Sequence, residues 1–307
     1  IVSGCFMSIK PLFLLLFILV AFVQAVAGTK PKELQLGECY VIRLANGDEL
    51  EGKVDSFISD PEEGDGIKFD SEVGIAKIYF SQISEIVQCS KYYRNGHKYF
   101  LLPTAIGIGN NHFIGMLEMF FLYGGIGITD YFSVIAGRSL LPGAYSNQQL
   151  SLINIKGSLP SIDFEDIPRN LYLAFGGNLG FANNNNKFIH FYGVATALFY
   201  KTSLSLSVFY KAGSEDYYLV RYGINSVDVN YPDGSFGVAF GVDTKIPHHK
   251  GLHFIAELWN IDVQRPTHSG LFMGIRLANT SVCFDFGLGW FTQPFVVPIA
   301  NFSWSPF

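Results

Sequence analysis

Ser203-Leu204-Ser205-Leu206-Ser207-Val208 carries an apolar side chain at every second position and a hydroxyl at each position between. An extended chain turns successive side chains to opposite faces, so this stretch has one greasy face and one polar face. Ser235-Phe236-Gly237-Val238-Ala239-Phe240-Gly241-Val242-Asp243 repeats the pattern with Gly and Ala as the small set, and Ser281 to Trp290 repeats it again. Leu171, Leu173, Phe175, Leu179 and Phe181 alternate in the same way with Tyr172, Ala174, Gly176, Asn178 and Gly180. A soluble β-sandwich also alternates. The amount of greasy surface separates the two: aromatics make up 16% of the chain and charged residues only 15%, against about 25% in ordinary soluble domains. Phe and Leu dominate one face, and charges are sparse on both. The pattern predicts an all-β fold, an antiparallel transmembrane β-barrel with lipid on one side and a lumen on the other.

Working outward, strands are expected near 96–108, 113–127, 130–141, 149–159, 169–181, 188–199, 203–213, 235–246, 251–261, 268–277, 280–290 and 295–305. That makes about twelve, an even number as single-chain bacterial barrels require. Short links at Thr129-Asp130, Tyr200-Lys201-Thr202, His248-His249 and Ala278-Asn279 then share the periplasmic face. The longer polar links, Asn183–Asn186 and Ser214–Gly234, fall outside, the second as a protruding hairpin.

The chain ahead of the barrel differs in kind. Met7-Ser8-Ile9-Lys10, the apolar run Pro11 to Val23 and the small-x-small site Ala25-Val26-Ala27 read as a signal peptide cleaved before Gly28, with an upstream extension before Met7. Residues 1–27 are therefore expected to be lost, and Cys5 with them. Residues 28–95 hold eight Lys/Arg and thirteen Asp/Glu, whereas the much longer 96–307 holds twelve and thirteen. The first reads as a solvated periplasmic β-domain, the second as the membrane-embedded barrel. In 28–95, Tyr40 to Leu44 alternates, Asn46-Gly47 signals a hairpin turn, and Glu49 to Ile58 follows. After an acidic loop from Asp60 to Gly66 come Ile67 to Asp70, Ile75 to Phe80 and Ile83 to Val87. Five short strands predict a small closed barrel. The spacing of Asn46-Gly47-Asp48, Glu51-Gly52-Lys53-Val54, Val73-Gly74 and Ile83/Ile86 resembles SH3-like or Sm-like barrels. An acidic exported domain offers phosphate no attraction, so no nucleic acid partner is expected.

Residues 97–307 resemble a group of outer-membrane barrels of Bacteroidota-type bacteria. The likeness rests on Pro103-Thr104-Ala105, Gly127-Ile128-Thr129-Asp130-Tyr131-Phe132-Ser133, Glu257, Gly274-Ile275-Arg276 and Asp285-Phe286-Gly287-Leu288. It implies fold and location, and no activity. The terminal Phe307 resembles the aromatic signal such barrels present to the barrel-assembly machinery, although Pro306 interrupts the last strand.

Parity places Asp243, Glu257, Arg276 and Asp285 on the lumen side of four consecutive strands, with Arg276 between acidic neighbours. Glu118 and Lys156 are expected to face inward as well. Such charges form either a stiffening salt-bridge network or an ion pathway. Cys39 and Cys89 bracket the small domain, and antiparallel pairing of its first and last strands would bring them together as a disulfide. No GxSxG, HExxH, P-loop or Cys/His metal spacing occurs, so neither metal nor cofactor is expected. Three functions stay open: a small solute pore or transporter, a closed anchoring barrel displaying the periplasmic domain and outer loops, and a lipid hydrolase using His190 or His268 near the outer rim. The expected partners are outer-membrane lipid, the barrel-assembly machinery and a periplasmic protein.

Overall fold

The computed structural model describes residues 34–46, 48–71, 74–88, 96–142, 144–164, 170–182, 186–199, 201–213, 215–222, 225–246, 249, 251–278, 282–292 and 296–305. The expected signal peptide, Cys5, Cys89, His248 and Phe307 lie outside the described residues. The chain divides into two compact units between Tyr92 and Tyr93. No described helix is long and apolar enough to cross a membrane.

The first unit is one antiparallel sheet of β1 (Cys39–Leu44), β2 (Glu49–Asp60), β3 (Gly64–Ser71), β4 (Gly74–Tyr79) and β5 (Ile83–Gln88), in the order β4-β3-β2-β1-β5. Alternate side chains Tyr40, Ile42, Val54, Ile67, Phe69, Ile78, Ile83 and Ile86 form its core. Bulges at Val54/Ser56 and Arg43/Leu44 bend the strands that carry this core. Among the described residues β4 and β5 stay at the two edges of the sheet and do not pair, so the curl is not closed as expected. The acidic loop is also shorter than expected. The Asp60 carboxylate accepts the backbone N–H groups of Glu62 and Glu63 at 2.9 and 3.3 Å, which turns the chain within three residues and lets β3 start at Gly64. Those two donors, Glu62 first, hold the exposed Asp60 carboxyl below its ordinary pKa.

The second unit is a closed barrel. Its wall strands are β6 (Phe113–Glu118), β7 (Phe121–Thr129), β8 (Phe132–Ser139), β9 (Ser151–Ser158), β11 (Asn170–Ala182), β12 (Asn186–Leu198), β13 (Thr202–Lys211), β16 (Phe236–Lys245), β17 (Leu252–Asn260), β18 (Ser269–Ala278), β19 (Val282–Phe291) and β20 (Val296–Trp304). Each pairs antiparallel with the next, and β20 returns to β6 from Asn301↔Glu118 to Trp304↔Gly115. Twelve strands close the wall, so this part of the sheet has no free edge in the hydrocarbon, where unpaired backbone groups are costly. The outward set is greasy throughout: Phe175, Phe191, Leu206, Phe240, Leu258 and Phe286 are all exposed. A short β10 (Ile162–Asp163) adds to the base of β11. A hairpin of β14 (Tyr217–Tyr222) and β15 (Asn225–Asn230) forms its own two-stranded sheet within the β13–β16 connection, apart from the wall as expected.

The count of twelve agrees with expectation through two corrections that cancel. Residues 96–108 are not a wall strand. Tyr99, Phe100, Leu102 and Ala105 are buried in the core cluster of the barrel unit with inward residues of several strands, so this segment is a plug in the lumen. The stretch 113–127, expected as one strand, spans two, β6 and most of β7. They turn at Met119 and Phe120, where Met119 takes a positive φ of 51°. A turn written in apolar residues carries none of the usual punctuation.

Tyr40↔Gln88 is the last described pair between β1 and β5, and Cys39 is disulfide-bonded. The bond expected for it is to Cys89. Non-reducing peptide mapping of protein taken from the envelope should recover a Cys39–Cys89 linkage, worth about 3–4 kcal/mol for a loop of this length in the chain-entropy treatment. Finding Cys89 as a free thiol would rule the pairing out.

Candidate functional site

The lumen site begins with a problem of backbone chemistry. The plug is irregular: Tyr99 N–H donates to the Leu102 carbonyl and Thr104 N–H to that of His97, which folds residues 97–104 into a tight loop with its tip at Phe100-Leu101. That loop leaves N–H and C=O groups turned toward the wall, and buried groups of this kind need partners.

The wall supplies them with charges of matching sign. Lys156 on β9 turns its ammonium to three plug carbonyls, those of Ile106, Thr104 and His97, at 2.6, 3.1 and 3.5 Å. Arg276 on β18 donates to the carbonyls of Tyr99 and Lys98 at 3.0 and 3.2 Å. Glu257 on β17 accepts the N–H groups of Leu101 and Leu102 at 2.8 and 3.0 Å, while its second oxygen takes the Trp259 indole N–H at 2.7 Å. Thr196 accepts from Ala105 N–H at 2.8 Å, and Asn301 donates to the Phe100 carbonyl at 3.3 Å. Tyr99 places its hydroxyl 3.1 and 2.9 Å from those of Ser203 and Ser205. Lys98 of the plug pairs with Glu118 of β6 at 2.8 Å.

Arg276 is itself held from the wall. Its guanidinium forks onto Asp285 of β19 at 2.7 and 3.0 Å and reaches Asp243 of β16 at 2.9 Å, and Asp243 in turn meets His253 of β17 at 2.6 Å. The structure thus brings Asp243, Arg276 and Asp285 together at one depth. Glu257 is not beside them, contrary to the expectation of acidic neighbours on adjoining strands. The β17 residue opposite Arg276 is His253, and Glu257 lies four residues further along, opposite Phe272. Parity fixes the face of a residue but not its depth, so His253 could be found only from the register.

Small wall residues let the plug sit close. A Cβ at Gly241 would stand 2.6 Å from the Tyr99 ring and 2.8 Å from Leu102, and one at Gly287 would stand 2.8 Å from the tip of Phe100. The anchors Lys156, Thr196, Asp243, Arg276 and Asn301 all lie within three residues of the strand ends that adjoin the links at 159–169, 199–201, 246–251 and 279–281 or the chain's end. The plug therefore fills that end of the barrel, and its tip reaches mid-strand at Glu257.

Above the plug is a cavity of about 190 Å3, floored by His97, Lys98, Leu101 and Pro103 and walled by inward residues that include Asn154, Asn178, His190, Tyr192, Phe209 and Trp259. At the far rim the buried Lys211 ammonium stands 5.0 and 5.2 Å from the ring centres of Tyr218 and Tyr231, which ties the β14–β15 segment to β13. His190 is inside this vestibule and its Nδ1 is 3.3 Å from the Asn178 amide nitrogen, whereas His268 sits in the β17–β18 turn. The two histidines of the hydrolase reading thus lie in different places. Among the described residues no cluster of His, Cys, Asp and Glu has the arrangement of a metal site, and the remaining described cysteine, Cys283, is buried and free.

No protein-family model and no curated protein sequence matches the chain. Among solved structures, the KdgM porin in complex with disordered oligogalacturonate aligns over 63% of this chain and 95% of its own, at 9% identity and a TM-score of 0.38. OprD of Pseudomonas aeruginosa aligns over 88% and 94% at 11% identity and a TM-score of 0.33. The Salmonella typhi OmpF complex with daunomycin aligns over 87% and 95% at 7% identity and a TM-score of 0.33. Likenesses this distant do not bear on what this barrel does; its fold rests on its own closed register.

Replacing Arg276 by Ala should destabilise the barrel by about 3–5 kcal/mol, because it strands Asp243 and Asp285 without their cation. Arg276→Met combined with Asp243→Asn and Asp285→Asn should recover much of that loss. Urea titration of the folded, fast-migrating form on unheated gels reads both. Equal stability of the single and triple variants would show that the carboxylates do not depend on Arg276.

Proposed function

We propose that the chain is a solute pore of the bacterial outer membrane whose lumen is closed by its own plug, residues 96–106, until that plug moves. One observation carries this reading: the wall closes through β20 and β6 without any contribution from the plug. Displacing the plug breaks side-chain bonds and apolar packing but no pairing of the wall. A twelve-stranded wall is wide enough to enclose a narrow lumen once that loop has left.

Orientation follows from the connections. Bacterial barrels keep short turns in the periplasm and longer loops outside, which sends the vestibule and the β14–β15 hairpin outward and the plug to the periplasmic end. The β9–β11 link at 159–169 is the long exception on that side. Residues 28–95 then form the periplasmic domain, a small SH3-like or Sm-like unit free to meet a periplasmic protein. Lipid and the barrel-assembly machinery are the remaining partners, as for the Bacteroidota-type barrels that the sequence resembles. A second reading, the closed anchoring barrel, is favoured by how fully the plug's polar groups are met. The hydrolase reading gains nothing from His190, whose hydrogen bond runs to an amide.

Planar-bilayer recording separates the first two. Wild type is expected to stay closed with brief openings. A variant in which residues 98–104 are replaced by an equal length of Gly and Ser is expected to conduct steadily. With Glu118, Asp243, Glu257 and Asp285 inward against Lys156, Lys211 and Arg276, the freed lumen should prefer cations, and Asp243→Asn with Asp285→Asn should weaken that preference. A loop-replaced variant that still shows a heat-dependent gel shift but never conducts would leave the anchoring barrel.

A further inference from the structure

We propose that the vestibule is a binding site for a neutral, polyhydroxylated solute of single-ring size, such as a free sugar. This names the solute class of the pore reading and rests on it only in taking the vestibule to face outward.

The site is built from one polar row and one aromatic wall. Asn154, Asn178 and His190 stand directly opposite one another on the adjacent strands β9, β11 and β12. Cross-strand partners point the same way, here into the lumen. The row is internally bonded: the Asn154 amide donates to Asn178 Oδ1 at 2.7 Å and to the Tyr192 hydroxyl at 2.9 Å, and the Asn178 amide nitrogen meets His190 Nδ1 at 3.3 Å. Those bonds fix the orientation of each amide, use both N–H groups of Asn154 and leave one N–H and one lone pair on Asn178. What the row has left to offer is acceptor oxygen on Asn154 and Asn178 and one Asn178 N–H, a mixed set that suits hydroxyl groups.

Beside the row, Phe209 lies 4.9 Å from the His190 ring and 5.6 Å from that of Trp259. These rings offer apolar faces to the C–H side of a sugar ring, the usual division of labour in a small-molecule site. The cavity, about 190 Å3, is of a size to admit one sugar ring.

Charge selects against ions. Lys98 is paired with Glu118 at 2.8 Å, and Lys156 is committed to three plug carbonyls. A uronate or a zwitterionic amino acid would find these charges already balanced, whereas a neutral polyol needs no counter-charge.

The test is calorimetry on the full chain purified in detergent, titrated separately with glucose, glucuronate and alanine. Glucose should bind saturably, and Asn178→Leu should weaken it by about tenfold or more. Glucuronate and alanine should give no saturable heat. If Asn178→Leu loses its heat-dependent gel shift, Tyr192→Phe, which removes a single hydroxyl, should show the weakening instead. No saturable heat with glucose, equal or tighter binding of glucuronate or alanine, or wild-type affinity in the folded variant would overturn the proposal. Because no current is measured, binding without conductance would sink the pore and leave this site standing.

Discussion

The pairing of β20 with β6 is the constraint on which everything else depends. In hydrocarbon an open sheet edge has no water to satisfy it, so the wall must close before any lumen exists. Here it closes on a first strand of only six residues, Phe113–Glu118, and the chain immediately ahead of that strand is released from the wall. Gly107 to His112 run close against the β7–β8 turn, with Asn110 N–H on Asp130 Oδ1 at 3.0 Å and Asn111 N–H on the Gly127 carbonyl at 3.1 Å. That route carries residues 96–106 inside the barrel.

Once an irregular loop occupies the lumen, the identity of the inward charges follows. Cations face plug carbonyls, at Lys156 and Arg276, and an anion faces plug N–H groups, at Glu257. Asp285 and Asp243 are then needed to hold Arg276, and His253 to hold Asp243. These side chains are spent on closure. The vestibule above them is walled by amides, hydroxyls, rings and the aliphatic Met116, Ile135 and Leu152, and its charged lining is the Lys98–Glu118 pair and the plug-bound Lys156.

Much of this was legible in the sequence, and the illegible part has physical causes. Period two gave the face of each wall strand, because a side chain in an extended strand has only two directions available; hence Phe175 out and Asn178 in. It gives no depth, so parity alone sets Glu257 beside Arg276 and leaves His253 out. The plug reads as a wall strand because both are apolar. The distinguishing sign was present: Tyr99-Phe100-Leu101-Leu102 is apolar at four consecutive positions, followed by Pro103, and does not alternate. Such a run suits a segment enclosed by protein on most sides, not one with lipid on one face. Met119-Phe120 hid the first hairpin for the converse reason, a turn with no polar or glycine residue in it.

Several short stretches of the sequence acquire a common meaning in the structure. Pro103-Thr104-Ala105 belongs to the plug. Gly127 to Ser133 spans the turn against which the chain leaves the lumen, and Glu257, Arg276 and Asp285 are anchors or the holder of an anchor. Gly287, within the last of these motifs, is the clearance for Phe100. Scattered over the sequence from 103 to 288, they converge on one task, seating an irregular loop in a membrane-spanning wall. The energetics explain why so many residues share it. A buried ion pair gains little net stability against well-packed apolar residues, so these charges are poorly explained as cement. They are well explained as partners for a backbone that cannot form its own ladder, since each unmet N–H or C=O would cost about 1–3 kcal/mol. The same side chains that make closure stable also match it by sign, Glu257 to plug N–H groups and Arg276 to plug carbonyls. The barrel therefore holds its plug through charges matched in sign to the backbone groups they meet.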